Sequence, residues 1–302
     1  MTEIIECVPN FSEGRDQGVI SALARAAEGA AGAALLDYSA DADHNRSVFT
    51  LLGSAQGVAE AAFRMCAASC DMIDMTKHTG AHPRIGAADV VPFVPVRGCV
   101  MAECVEISQC VAERIYNELA IPCFLYGESG AGAQRRELAS IRRGGFEGMP
   151  QKLLLDGWAP DYGERRIHPT AGATAVGARK PLVAFNVNLA TSEVRIARRI
   201  AKKIRESNGG FKHCMAMGIF LGSQGIAQVS MNLTDCDVTP IHTVYEAICD
   251  EAARLGVKIA GSELIGLAPA KALEDAIMNK IKIDNLNYGL HALENYIPKL
   301  HL

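Results

Sequence analysis

The sequence predicts an α/β protein of the α+β kind, with two tandem ferredoxin-like β-α-β-β-α-β sandwiches whose sheets face a substrate cleft. Nearly half of the 302 residues are hydrophobic and 6% are aromatic, a balance typical of compact α/β proteins. Short β-branched runs alternate with stretches of helical periodicity. The same order of elements recurs after Arg179-Lys180, so we predict domains over residues 1–180 and 181–302. Clefts between domains commonly bind small molecules.

The first half supplies one set of these elements. Ser12 or its neighbours can cap the first helix and Ser54 the second, because serine hydroxyls accept hydrogen bonds from backbone N–H groups. Met72–Met75 is the last strand of the predicted β-α-β-β-α-β order, and a polar loop follows it. The predicted elements are strands Glu3–Val8, Ala33–Tyr38 and Ser47–Leu52 and helices Asp16–Ala27 and Ser54–Ala68.

A further strand, helix and strand follow, at Asp89–Val96, Met101–Leu119 and Cys123–Tyr126. Between residues 127 and 177 the periodicity decays, and only a short helix at Arg135–Arg142 is predicted. A loop region of this length in a compact protein is commonly functional or a linker between domains.

The pattern of the first half returns in the second. Its basic helix carries RIARRIAKKIR over Arg195–Arg205, but the apolar positions form one stripe. We therefore interpret the charges as a solvated face rather than a nucleic-acid site. The predicted elements are strands Leu182–Leu189, Met215–Leu221, Ala227–Leu233 and Val257–Ala260, helices Ser192–Glu206 and Pro240–Leu255, and a helical tail from Ala270.

Charge and cysteine content argue against several classes of protein. The formal net charge of -4 disfavours a nucleic-acid binder, and no apolar run is long enough to predict a membrane span. The N-terminus lacks the basic and apolar regions of a secretory signal. Ten cysteines are scattered without a CxxC pair, which predicts a reduced, cytoplasmic protein.

The segment before the strand at Asp89 carries the first candidate site. Gly80 is a poor helix former and Pro83 disfavours helical geometry at His82, so the segment is predicted to be a loop holding His82 and Arg84. A histidine beside a guanidinium suits a proton carrier next to an anion clamp. The alternative is a solvated surface loop. Because His78 and His82 share a face with Asp74 only in a helix, and no thiolates are nearby, no metal site is predicted.

Several motifs resemble the formiminotransferase family. The resemblance covers nearly the whole chain, and its His-Pro-Arg block is specific. The matching motifs are CVPNFSEGR (Cys7–Arg15), LLDYSADADHNRS (Leu35–Ser47), HTGAHPRIGAADVVPFVPV (His78–Val96), YGE (Tyr126–Glu128), GATAVGARK (Gly172–Lys180), AFNVNL (Ala184–Leu189) and AQVSMNL (Ala227–Leu233).

The resemblance implies a glutamate formimidoyltransferase activity. This activity transfers a formimino group from N-formimino-L-glutamate to N5 of tetrahydrofolate in histidine degradation, giving 5-formiminotetrahydrofolate and L-glutamate. It also implies two α/β subdomains with a charged substrate tunnel, a homodimer and tetrahydrofolate as co-substrate. Animal relatives fuse this transferase to a cyclodeaminase. Because the chain ends at Leu302, we expect a separate cyclodeaminase and no second activity here.

The resemblance places the catalytic histidine at His82. One imidazole can accept a proton from the attacking nitrogen and then donate a proton to the departing amine, since its pKa lies near 6.5. His78 can orient His82, bind a carboxylate or be satisfied by backbone, and these alternatives stay open. Relatives often carry an acid at the position of Ser39, so a carboxylate partner for His82 also stays open.

Both substrates are anions, so arginine and lysine must hold them. Arg84 is the first candidate for a substrate carboxylate. In the second of two folate segments, Phe211 is predicted to stack on the folate, and Lys212 and His213 to hold its tail; a solvated loop is the alternative for each segment. The resemblance assigns folate contacts to Gly163, Glu164, Arg165, Arg166, Ile167, His168, Pro169, Thr170, Ala171 and Gly172, and to Gly209, Gly210, Phe211, Lys212, His213, Cys214, Met215, Ala216, Met217 and Gly218.

Two other functions compete with formimino transfer. A close relative using N-formylglutamate differs in its donor only by O in place of NH, which residue spacing does not distinguish. A non-enzymatic folate-binding module is the third hypothesis, and the His82–Arg84 loop argues against it.

Overall fold

A computed structural model of the protein describes residues 3–42, 44–80, 83–222 and 224–300. Its contacts divide the chain into two compact units. The first runs up to Arg179 and includes the residues from Pro298 onward, and the second spans Lys180–Ile297.

The first unit contains a mixed sheet with helices. Its strands are β1 (Ile4–Cys7), β2 (Asn10–Phe11), β3 (Ala33–Asp41), β4 (Arg46–Gly53), β5 (Ala88–Arg97), β6 (Cys123–Gly127) and β7 (Thr174–Ala178). Its helices are α1 (Gln17–Glu28), α2 (Ala55–Met72), α3 (Met101–Leu119), α4 (Gly132–Arg136), α5 (Leu138–Arg142) and α6 (Gly145–Lys152).

The strands of this sheet join an antiparallel part to a parallel part. β1 and β2 each pair with β4 on one side and β5 on the other, and β3 pairs with β4 at the edge. Val8-Pro9 separates β1 from β2, and proline has no N–H to donate to a neighbouring strand. Beyond β5, strands β7 and β6 add in parallel.

Caps and apolar stripes fix the helices on this sheet. The Asp16 side chain accepts hydrogen bonds from the N–H groups of the first turn of α1, and Ser54 does the same for α2. Leu23 of α1, Val58 of α2 and Ile115 of α3 lie in one buried core with the sheet. Burial of these apolar side chains is the main force holding the layers together.

The second unit contains an antiparallel sheet with helices. Its strands are β8 (Val183–Leu189), β9 (Cys214–Leu221), β10 (Ile226–Leu233) and β11 (Ile259–Ile265). Its helices are α7 (Val194–Ile204), α8 (Ile241–Arg254), α9 (Ala270–Met278) and α10 (Tyr288–His291), with 3-10 turns at Glu206–Asn208 and Leu293–Lys299.

The strands of this sheet lie in the order β11-β8-β10-β9. Successive side chains of a strand point to opposite faces of its sheet. On one face, Phe185 and Val187 of β8 lie in one buried core with Ile200 of α7 and Ile248 of α8.

The predicted mixture of helices and sheets is confirmed, with corrections to single elements. Met72–Met75 is not a strand: α2 continues to Met72, and β5 is the strand that pairs with β1. The predicted helix Arg135–Arg142 is interrupted at Glu137, between α4 and α5. Strand β7 and helix α6 were not predicted, because glycines and small residues obscure their periodicity.

The last strand also differs from its prediction. Val257–Ala260 was expected, but β11 begins at Ile259 and runs to Ile265. Gly256 has φ +70° and turns the chain after α8, so the strand begins only after this turn. The pairing of β11 with β8 has a register irregularity between Ile259 and Gly261, at the end of the predicted range.

The cysteines are thiols, and half of them are buried. Among the described residues, none of the ten cysteines forms a disulfide. Burial raises the pKa of the Cys66 thiol to about 12, and it also raises the pKa values of Cys7 and Cys123. Cys110 on α3 is exposed.

None of the helices in the described ranges combines the length and apolar character needed to cross a membrane.

Candidate functional site

Asn45 connects three polar loops of the first unit. It has a left-handed φ of 50°, a conformation that asparagine tolerates better than most residues. Its Oδ1 accepts a hydrogen bond from the Gly14 N–H at 2.9 Å, and its Nδ2 donates to the Thr79 carbonyl at 3.0 Å. The loops after β2, between β3 and β4, and before β5 therefore meet at one side chain.

The ring of His78 lies in the same cluster. Its Nε2 is 3.0 Å from the Asn45 carbonyl oxygen, and its Nδ1 accepts a hydrogen bond from Arg84 Nε at 3.0 Å. These partners require the neutral tautomer with its proton on Nε2. Burial lowers the pKa of His78, and the Arg84 charge adds to this shift. Of the alternatives for His78, the described contacts match a ring satisfied by backbone that also orients Arg84.

The Arg84 side chain is largely buried and donates four hydrogen bonds, one of them the bond to His78 Nδ1. Its guanidinium donates to the two carboxylate oxygens of Glu147 at 2.8 and 2.7 Å, and to the His78 carbonyl at 3.1 Å. The Arg84 side chain is 12% exposed, whereas that of Glu147 on α6 is 65% exposed. The bond from Arg84 lowers the pKa of Glu147. The predicted carboxylate anchor thus already holds a carboxylate in a two-pronged contact.

A second ion pair, between Asp89 and Arg142, is largely buried next to this cluster. Asp89 at the start of β5 accepts the Ile85 N–H at 2.9 Å and pairs with Arg142 of α5. Arg46 lies close by. Burial is the main cause that lowers the pKa of Arg46, and the positive charge of Arg142 adds to this shift. Asp89 and Arg46 also line a narrow recess with His78. Arg84 also lines this recess, which therefore places two guanidinium groups beside the carboxylate of Asp89.

The proposed catalytic residue His82 lies outside the described residues, as does Ala81. The described residues on either side of these two are not helical, as the sequence predicted. Gly80 packs so closely on the backbone of His44 that a Cβ would collide with the His44 carbonyl oxygen. On the other side Arg84 is held by His78 and Glu147. Both flanks of the segment are therefore anchored.

The first predicted folate segment lies in the first unit, next to this loop. Gly172 forms an isolated bridge with Gly86, and the Ala87 N–H donates to the Ala171 carbonyl at 2.9 Å. The Thr170 carbonyl accepts the Met75 N–H at 2.8 Å. Segment 163–172 thus contacts the polypeptide on both sides of the loop that carries His82.

Some side chains of segment 163–172 are engaged within the protein and others are exposed to solvent. The Nδ1 of His168 accepts the Ala171 N–H at 3.0 Å, its Nε2 lies 4.0 Å from Cys70 Sγ, and burial lowers the pKa of the ring. His168 therefore closes a local turn. Glu164 and Arg166 form an exposed ion pair at 2.9 Å, and Arg165 contacts the Leu153 carbonyl at 3.4 Å.

The second predicted folate segment lies in the second unit. Phe211, proposed for stacking, packs against the hydrophobic core of that unit. Lys212 is exposed, and its carbonyl accepts the Thr239 hydroxyl at 2.5 Å. His213 has φ 58°, and its N–H donates to Glu206 at 2.7 Å. On β9, by contrast, Met217 is 60% exposed.

Sequence reasoning missed three residues of the first-unit cluster. Asn45 lies within a recognised motif, but its bridging follows only from contacts distant in sequence. Glu147 lies in a glycine-rich region that was read as irregular. Asp89 was placed in a strand, and an acid at the start of a buried apolar strand was the available signal for a buried ion pair. Within the described part of the chain, no cluster of three histidine, cysteine, aspartate or glutamate side chains has a metal-binding arrangement.

Comparison with known proteins identifies the family. The model of the formiminotransferase domain, N-terminal subdomain, matches residues 4–179, and the model of the formiminotransferase domain matches residues 184–298. A glutamate formimidoyltransferase of Streptococcus pyogenes is 54% identical over 98% of this chain and 99% of its own length. The protein of that name from Thermoplasma acidophilum is 39% identical over 98% of both chains.

A formimidoyltransferase-cyclodeaminase of Sus scrofa is 44% identical over 95% of this chain, which spans 54% of that longer relative. The family models cover almost all of the chain in two consecutive matches, and full-length relatives share up to about half of its residues. The chain belongs to the formiminotransferase family.

Proposed function

We propose that this protein transfers the formimino group of N-formimino-L-glutamate to N5 of tetrahydrofolate, giving 5-formiminotetrahydrofolate and L-glutamate. The observation that carries this proposal is the 54% identity with a glutamate formimidoyltransferase along almost the full length of both chains. The two family-model matches, over residues 4–179 and 184–298, include the motifs from which the function was predicted, apart from Lys180 at the end of one of them.

The chemistry requires one group that moves protons in both directions. N5 of the folate adds to the formimino carbon, a tetrahedral intermediate forms, and the glutamate nitrogen leaves as an amine after it is protonated. We propose His82 as the general base for the first step and the general acid for the second. The anchored flanks of its segment, at Gly80 and Arg84, support this role because a proton carrier must be held within reach of its substrate.

We propose that Arg84 binds a carboxylate of the formimino donor. The contact that Glu147 now makes has the two-pronged geometry that a substrate carboxylate would adopt. Substrate binding at Arg84 would then exchange one carboxylate for the other. The largely exposed side chain of Glu147 can move into solvent, whereas the largely buried side chain of Arg84 stays in place through its contact with His78.

For the folate we propose contacts from segments 163–172 and 209–218. Exposed Arg166 and Lys212 are available for the glutamyl tail. Each unit is proposed to be a ferredoxin-like sandwich, supported in the second by the order β8-α7-β9-β10-α8-β11. A domain boundary at residues 180–181, a homodimer, a cytoplasmic location and a separate cyclodeaminase partner complete the proposal.

The test is an assay of the purified chain with tetrahydrofolate and either N-formimino-L-glutamate or N-formyl-L-glutamate. We expect product only with the formimino donor. Acid treatment then closes the folate ring, and because only the formimino group carries nitrogen, this step must release ammonia. Product from the formyl donor, without ammonia, would replace the proposed reaction by formyl transfer. Folate binding without product from either donor would indicate a binding module.

A further inference from the structure

Lys152, the last residue of α6, is buried and has no ion-pair partner among the described residues. It is 8% exposed, although lysine is almost never fully buried unless it is paired. Its Nζ donates instead to the carbonyl oxygens of Ser140 at 2.5 Å, Ile141 at 2.6 Å and Arg143 at 3.3 Å. An ammonium group has three N–H donors, so these carbonyls use all of them.

The ammonium group of Lys152 also lies over an aromatic ring. Its Nζ is 3.8 Å from the centre of the Trp158 ring, within the range of a cation–π interaction. Trp158 and Ile85, which lies in the loop before β5, belong to one buried cluster. Burial lowers the pKa of Lys152 to about 8, and the charges of Arg143 and Arg135 add to this shift. The carbonyl oxygens and the ring therefore hold a cation at a place where burial disfavours its charge.

A series of contacts leads from Lys152 to the candidate site. The carbonyl groups that Lys152 binds lie on both sides of Arg142 in the chain. Arg142, the last residue of α5, pairs with the buried carboxylate of Asp89. The other oxygen of that carboxylate accepts the Ile85 N–H at 2.9 Å. Ile85 is fully buried and directly follows Arg84, so the series ends in the loop before β5.

Helix α5 depends on contacts from outside the helix. It has five residues, and a helix this short is not stable on its own. Carbonyl groups at the end of a helix lack partners within it, and Lys152 supplies donors to those of Ser140 and Ile141. Within the described part of the chain, Arg142 Nε is buried without a hydrogen-bond partner. The Arg142 guanidinium is thus held incompletely by its own contacts, and its position follows that of the α5 backbone.

We propose that Lys152 is a positioning residue for formimino transfer, which holds the end of α5 so that Arg142 and Asp89 fix the loop before β5; this inference rests on the proposed function. In this role Lys152 contacts neither substrate. A displacement of about 1 Å in a reacting group can lower the rate by about 10²-fold. Lys152 therefore acts on kcat, through the placement of His82 and Arg84.

The test replaces Lys152 by an apolar residue of similar length in Lys152→Met, with Lys258→Met as control. Lys258 is exposed in the second unit. We expect the kcat of Lys152→Met to fall by about 10–100-fold, and by a larger factor than either substrate KM rises. The control should keep its kcat within about twofold of the wild-type value. A wild-type kcat in folded Lys152→Met would overturn the proposal.

Tryptophan emission separates a positioning effect from unfolding. Trp158 is the one tryptophan of the sequence, so the emission reports on the contact partner of Lys152. Lys152→Met should keep the emission of a buried indole while its kcat falls. If Lys152→Met unfolds, Arg142→Met decides, because it retains Lys152 and breaks the link to Asp89. Its kcat should fall by about tenfold or more, and a wild-type kcat would overturn the proposal.

A double variant tests whether Lys152 acts through Arg142. Residues that act as one unit have non-additive effects, so the double variant should keep the kcat of the more impaired single variant. Losses that multiply would show independent effects and overturn the positioning role.

The outcomes separate this inference from the proposed function. Normal turnover by the wild-type chain, with an unchanged kcat in both single variants, would overturn the role of Lys152 and leave formimino transfer intact. Absence of turnover by the wild-type chain would overturn the proposed function and this inference with it.

Discussion

Each unit has a hairpin with a left-handed residue in its turn, but only in the first unit does this residue have a side chain that binds neighbouring loops. The β3–β4 hairpin turns through Asn45 at φ 50°, and the β9–β10 hairpin turns through Gly225 at φ 67°. The glycine simply permits the left-handed turn, and a Cβ there would meet no atom of the described residues. Asn45 permits the same turn, and its side chain also ties two other loops to the hairpin.

Polar side chains that are held by several contacts lie around Asn45 in the first unit. Around Asn45, the His78 ring and Arg84 are each held by more than one contact, whereas the described side chains of the β9–β10 turn make none. The second unit instead offers polar groups on the flat face of its sheet. We infer that the first unit carries the chemistry, because reacting groups must be held more tightly than groups that only bind.

The largest expected effect breaks the chemistry in the first unit. His82→Ala should lower kcat by about 10²–10⁴-fold, the usual contribution of a positioned general acid and base. The KM for tetrahydrofolate and the circular dichroism spectrum should remain those of the wild type. The matched control is His242→Ala, since His242 lies on α8 of the second unit. Full kcat in His82→Ala would remove the proposed mechanism.

Exchanging the two turn residues tests the comparison directly. Asn45→Gly keeps the left-handed turn but loses two side-chain hydrogen bonds, so the free energy of unfolding should fall by about 1–3 kcal/mol. Gly225→Asn places an asparagine where there is space, and we expect a change within about 0.5 kcal/mol. Urea denaturation followed by circular dichroism measures both, because helices of both units contribute to that signal. Equal losses in the two variants would contradict a special role for Asn45.

A smaller effect distinguishes two roles for Glu147. If the Glu147 carboxylate occupies the place of a substrate carboxylate on Arg84, it competes with the substrate, and Glu147→Gln weakens this competition. The KM for N-formimino-L-glutamate should then fall by up to about fivefold, as expected for a partly exposed ion pair. Glu128→Gln, which alters the exposed pair with Arg136, is the control and should leave that KM unchanged. A raised KM in Glu147→Gln would instead show that Glu147 positions Arg84.

The smallest expected effect concerns pH. Because the folded protein holds the pKa of His78 below its ordinary value of 6.5, the unfolded chain binds more protons between the two values. The contribution of neutral His78 to stability is therefore complete above about pH 6.5 and is lost as the pH falls through the lowered pKa. Urea titrations from pH 5 to pH 8 should show this loss in the wild-type protein and less of it in His78→Gln. If the stability of the two proteins fell in parallel over this pH range, the predicted contribution of neutral His78 would be wrong.

The sequence predicted regular elements better than contacts. Helix α3 was predicted at Met101–Leu119, the bounds that the structure has, because its apolar residues recur with helical spacing. Strand β7 was missed because a buried parallel strand made of small residues, TAVGA, shows no alternation. Gly177 in it fits closely against the Tyr126 backbone, a requirement visible only in three dimensions.

For the candidate site, residue types were predictable and partners were not. The loop geometry around Gly80 and Pro83 followed from local backbone preferences. That Arg84 would be paired with Glu147 depends on a contact between segments far apart in the chain, which no local pattern encodes. The family resemblance supplied the role of His82, and that role stays a prediction.

The buried thiols of the first unit have a practical consequence. Groups whose ionisation is suppressed react slowly with alkylating reagents, so Cys66 and Cys123 should resist iodoacetamide in the native protein. Cys110 projects from α3 into solvent and is the natural first point of modification. A fluorophore attached there would give the folded enzyme a reporter without any engineering of its sequence.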